Sequence, residues 1–139
     1  MKIMRVVTIG GTRTLVLGFL IAVTAAGPLM AQEKVNPIMS HDLEGDSSKE
    51  VLMYTVDFPA GFSSPIHRHN AQVHVFVLEG SVVMQVRGGK EVTLKPGDSF
   101  YENPNDIHVV SRNASNSEPA KFLVFLIKEK NAPALIPAK

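Results

Sequence analysis

The sequence predicts an all-β domain of the sandwich or barrel class. Three observations lead there. After residue 31, apolar stretches of four to eight residues alternate with Gly, Pro, Asn and Asp, as short strands alternate with turns. No stretch in that part of the chain carries the 3.6-residue apolar period of a helix. Residues 73–78 and 122–127 are apolar at both alternating positions, so one face can fill a barrel while the other packs on a second sheet or a second subunit.

The first element is not part of that domain. MKIMRVVTIGGTRTLVLGFLIAVTAAGPLMA, residues 1–31, begins basic with Lys2, Arg5 and Arg13, runs apolar from Leu15 to Ala26, and exits through Gly27-Pro28 and small residues. That order is the form of a secretory signal peptide cleaved after Ala31, with Ala26 the alternative site, and it predicts a secreted or periplasmic protein. The apolar run is shorter than the ~20 residues that span a bilayer, so no membrane association is expected after cleavage. Taking 31 from 139 leaves 108 residues, enough for one domain with a real core.

The remaining segments follow in order. Residues 32–50 (QEKVNPIMSHDLEGDSSKE) are polar without a clean period and read as an N-terminal arm. The barrel spans 51–130. Its runs are VLMYTVDF, ended by Pro59-Ala60-Gly61, VHVFVL, ended by Glu79-Gly80, and SVVMQVR, ended by Gly88-Gly89. KEVTLK, SFYE, IHVVSR and KFLVFLIK complete it. Arg87-Gly88-Gly89-Lys90 is a two-residue hairpin signal, because both glycines can take the positive φ such turns require. NAPALIPAK, 131–139, carries two prolines and reads as a terminal tail.

Charge and cysteine content exclude several classes. The formal +1 belongs to the leader, which holds three of the 14 basic residues and no acid; the remaining 11 basic residues face 13 acidic ones, a net −2. No basic stripe with interleaved aromatics is present, which argues against nucleic acid as a partner. Without cysteine there is no disulfide framework, no thiolate chemistry and no lipid-modified cysteine anchor.

The chemistry lies in HRHNAQVH, which holds three of the five histidines. His67 and His69 are two apart, so in extended backbone their imidazoles project to one face. Two neutral imidazoles on one face suit a divalent first-row metal. His108, opening the strand IHVVSR after the turn Asn103-Pro104-Asn105-Asp106, is the candidate third ligand.

At these residues the chain resembles the cupins. Gly61-FSSPI-His67-Arg-His69 with VFVLEG ending at Gly80 is similar to the first cupin motif, and Gly97-DSFYE-Asn103-Pro104-Asn105-Asp106-Ile107-His108 to the second. The resemblance covers roughly 50–128 and implies a cupin-type double-stranded β-helix, a jelly-roll β-barrel, with a metal at its mouth. It also implies a homodimer, which strands apolar on both faces support. Where the family carries a glutamate ligand, counting back from Gly80 gives Val73 and counting forward from His69 with the longer spacing gives His74. A regular strand turns Val73, Val75 and Val77 inward and His74 outward; a bulge after Asn70-Ala71 would reverse this and make His74 a fourth ligand. Gln72, the other polar neighbour, is a candidate hydrogen-bonding partner for bound water. Asn105 stands where the family has glycine, and Asn tolerates the left-handed conformation.

Glu102 is a candidate acid or base from its position before the second motif. Tyr54, Met84, Phe100 and Tyr101 fit a pocket wall and a barrel core equally well. His41 reads as solvated. The sequon Asn113-Ala114-Ser115 matters only in a glycosylating host. Three histidines accept Fe, Mn, Co, Ni, Cu or Zn, and do not select among them.

The resemblance implies three functions. One is a metal-dependent dioxygenase acting on a small organic substrate, as in small cupins that cleave quercetin or a β-diketone. Another is a metal-dependent lyase, isomerase or decarboxylase, which needs a general base near the ion. The last is a non-catalytic cupin that captures a small molecule.

Overall fold

The computed structural model describes residues 31–139. The expected signal segment therefore lies outside the described residues, apart from Ala31. Among the described residues there is no helix. Ten strands form: β1 (Lys34–Leu43), β2 (Asp46–Phe58), β3 (His67–Arg68), β4 (Ala71–Glu79), β5 (Val82–Val86), β6 (Val92–Leu94), β7 (Ser99–Glu102), β8 (Ile107–Asn113), β9 (Ala120–Glu129) and β10 (Ile136–Pro137).

They make two five-stranded sheets, ordered β1-β2-β9-β4-β7 and β10-β3-β8-β5-β6. Every pairing is antiparallel. Alternation decides which side chains enter the space between the sheets. In β4, Ala71, Val73, Val75 and Val77 are buried while Gln72, His74, Phe76 and Leu78 are exposed. In β9, Phe122, Val124 and Leu126 turn inward. Val82 and Met84 of the second sheet close on them to give one core. Each large side chain so removed from water contributes about 1.5–3 kcal/mol. This is the jelly-roll β-barrel expected from the sequence.

Two turns depend on left-handed backbone. Gly80 has φ 67°, and a Cβ there would run into the Pro119 carbonyl and Ala120, so only glycine fits. Asn105 has φ 69°, the left-handed position expected of it. The β5–β6 connection differs from expectation. It runs from Arg87 to Glu91, and only Gly88 has a positive φ. Gly89 instead donates its N–H to Val86 O at 2.9 Å, and the Gln85 side chain donates to Gly89 O at 2.9 Å, which closes a longer loop.

Both terminal segments are built into the sheets. Residues 34–50, expected as an arm, are β1 and the start of β2, turned at Gly45. Alternation is missing from β1 because it is an edge strand, exposed along most of its length. The tail contributes β10, paired with β3 (Ile136 with Arg68, Pro137 with His67). Asn113 is buried, and its amide donates to the carbonyls of Phe58, Pro59 and Glu118, so the sequon is closed to modification in the folded domain.

Candidate metal centre

Strand register brings the three histidines together. His67 in β3 is the cross-strand partner of His108 in β8, so their side chains share a face of the sheet. His69, two residues on, returns to that same face. Ring centroids are 5.0 Å apart for both His67–His69 and His67–His108. One ring nitrogen from each residue lies within 4.8 Å of the others, and all three side chains are buried.

Backbone carbonyls set the tautomers. His67 Nδ1 lies 2.8 Å from Pro65 O, and His69 Nδ1 contacts Ala134 O. A carbonyl only accepts, so each Nδ1 carries the hydrogen and each Nε2 keeps its lone pair. Holding the far nitrogen of a ligating imidazole in this way is how proteins orient metal ligands. Burial, reinforced by His108 and His69, pushes the His67 pKa down to about 4 against the pull of its Pro65 bond. The ring is therefore neutral at pH 7, with a lone pair to donate. These donors fit a divalent metal ion.

The cluster borders a cavity of about 280 Å³. Leu52, Val56, Val73, Val75, Phe122 and Val124 give it an apolar wall, and Tyr54, Ser64, Glu102 and Ser111 add polar groups. Burial raises the pKa of the Tyr54 hydroxyl, which stays protonated and can donate. Burial likewise raises that of Glu33 at the cavity edge. No lysine or arginine lines the cavity among the described residues.

The other sequence candidates divide. Glu102 is inside: it is 1% exposed, and its Oε1 lies 3.3 Å from His108 Nδ1. Tyr54 and Met84 line the cavity. Phe100 stacks on His108 at 5.8 Å, while Tyr101 is exposed on the outer face. His74 is outside as well, against Tyr101 at 4.9 Å and Phe125 at 6.1 Å. The pairing of β4 with β9 is regular from Ala71 to Val77, so no bulge turns His74 inward and it is not a fourth ligand. Gln72 shares that exposed outer face and cannot serve water at the metal. His41 is exposed, as expected.

Sequence reasoning missed the tail. The Ala134 carbonyl orients His69, and Leu135 lines the cavity. A backbone oxygen leaves no signature in a sequence. Ser64 and Ser111 were also missed, being small polar residues without a distinguishing pattern.

The sequence profile of the Cupin domain family matches residues 54–126. No curated protein matches the sequence significantly. Among solved structures, the DMSP lyase DddQ from Ruegeria pomeroyi DSS-3 is similar with a TM-score of 0.63 and 22% identity, over 79% of this chain and 53% of that one. A cupin-like protein from Thermotoga maritima gives 0.61 and 22%, over 76% and 75%. A recombinant oxalate oxidase in complex with glycolate gives 0.59 and 19%, over 76% and 54%. The chain spans about half the length of the first of these. Likeness at such identities shows a shared fold.

Proposed function

This chain belongs to the cupin family, and on that premise we propose that it holds one divalent metal ion on His67, His69 and His108 and acts as a metal-dependent dioxygenase on a small, largely apolar organic molecule. The observation that carries this reading is the convergence of three buried imidazoles, two with Nδ1 committed to carbonyls, at one end of an apolar cavity. When bound, the ion supplies redox and Lewis-acid chemistry at coordination positions that three protein ligands leave open.

The chain's own residues do the rest. Val73, Val75, Phe122 and Val124 hold the apolar body of the substrate and keep water out. Tyr54 offers a hydrogen bond to a substrate oxygen. Among the described residues no lysine or arginine lines the cavity, which disfavours a multiply charged anion and favours a neutral molecule with one polar, chelating end.

Anaerobic loading with Fe(II), followed by oxygen uptake with a panel of phenols and β-diketones, tests this. Uptake with a panel member supports it, and none throughout removes it. A second reading, metal-assisted proton transfer in a lyase or isomerase, draws on Glu102, which lines the same cavity, as the base. Turnover that persists without oxygen selects the second.

We further propose export through the cleavable N-terminal segment. Homodimerisation through the outer sheet face is supported by exposed Phe76, Leu78 and Tyr101.

A further inference from the structure

Glu102 is a buried carboxyl group that the barrel leaves only partly satisfied. It reaches the interior from β7, is 1% exposed, and its Oε2 has no hydrogen-bond partner. No lysine or arginine lines the cavity with it among the described residues. Its Oε1 lies 3.3 Å from His108 Nδ1 but without hydrogen-bond alignment. Neither ring nitrogen of His108 has a partner, whereas His67 and His69 are each pinned by a carbonyl. An isolated buried carboxylate is strongly disfavoured, and so is a buried imidazole with both nitrogens idle. Both deficits disappear together if the carboxylate serves His108 and the imidazole serves a cation. Hydrogen bonds of this kind are often loose before the ligand arrives and tighten afterwards.

We infer that Glu102 is a positioning residue for the metal centre: its carboxylate accepts the Nδ1 hydrogen of His108, directs Nε2 towards the ion, and supplies the negative charge that three neutral imidazoles lack. The inference rests on the proposed metal reading. Its arrangement is the same as that at His67 and His69, except that the acceptor is a charged side chain. A carboxylate acceptor makes a stronger hydrogen bond than a backbone carbonyl does.

Co(II) titration of the metal-free protein, with chelator competition and thermal melts, tests it. Glu102→Gln keeps the shape and removes the charge. The expected result is roughly a 10–100-fold loss of Co(II) affinity, the range for such outer partners. The metal-free melting temperature should stay the same or rise, because an unpaired buried carboxylate has gone. Glu102→Met, uncharged and of similar length, should show the same loss. In a His108→Ala background, Glu102→Gln should change Co(II) affinity little, because the residue acts through that imidazole. Unchanged affinity in the single variant overturns the inference. So does an equal loss in both backgrounds, which would mean direct contact with the ion. A fall in metal-free melting temperature matching the loss would make the residue merely structural and overturns it too. A parent protein that binds no Co(II) sinks the metal reading itself, a different outcome.

Discussion

Val73 and Glu102 are cross-strand partners in the β4–β7 ladder, and both side chains are buried on the inner face. The carboxylate therefore enters the cavity from the strand beside β4, at the level where β4 offers only a valine. Side-chain direction follows from the pleat: paired residues on adjacent strands share a face.

Replacing any one of His67, His69 or His108 by alanine should weaken metal binding at least ~100-fold, beyond the ~10–100-fold typical of changes outside the ligand set. Elemental analysis of the purified variants beside the parent checks this. Equal metal content in parent and His67→Ala would contradict the role of His67.

Acid should destabilise the metal-free protein in a defined window. The His67 imidazole titrates at about 4 in the fold and near 6.5 in an unfolded chain. Between those values the unfolded state binds the extra proton, so stability is complete above about pH 6.5 and declines as pH falls towards 4. The loss is of order 3 kcal/mol at about 1.4 kcal/mol per pKa unit. Urea unfolding from pH 4 to 7 measures it, and a His67→Gln variant should show a flatter profile. A parent protein with a flat profile would contradict the prediction.

Removing residues 132–139 takes away the Ala134 carbonyl that orients His69, together with β10. Metal affinity should fall roughly 10–100-fold, with the rest of the barrel intact by circular dichroism. Chelator competition on the truncated protein reads the change. Parent-like affinity would show that the tail does not position the ring.

Outer-face changes should leave the metal alone. His74→Ala is expected to hold Co(II) within about twofold of the parent, since a residue outside the ligand shells has no route to the ion. Phe76→Glu, at an exposed apolar position, should convert a dimer to a monomer in sedimentation velocity. A parent that sediments as a monomer would remove the dimer proposal.

Local pattern made much of this legible. The i, i+2 spacing of His67 and His69 fixes their common face, and counting back from Gly80 turns Val73 inward and His74 outward. The structure keeps both relations. What the text does not carry is adjacency. SFYE alternates visibly, but nothing in it says that β7 lies beside β4, so Glu102 reads as a candidate acid or base from its position before the turn, without its place beside His108. Residues 34–43 lack alternation because an edge strand has little core to face. The work of Ala134 is done by its main chain, which every residue possesses.

The bond between His69 and Ala134 spans 65 residues, and His67 meets His108 only once β3 and β8 have paired. Contacts of such long range form late, after most chain entropy has been surrendered. A nascent or partly folded chain offers an ion no more than the neighbouring His67–His69 pair. Tight capture of an ion would thus be a property of the finished barrel and not of any shorter stretch of the chain.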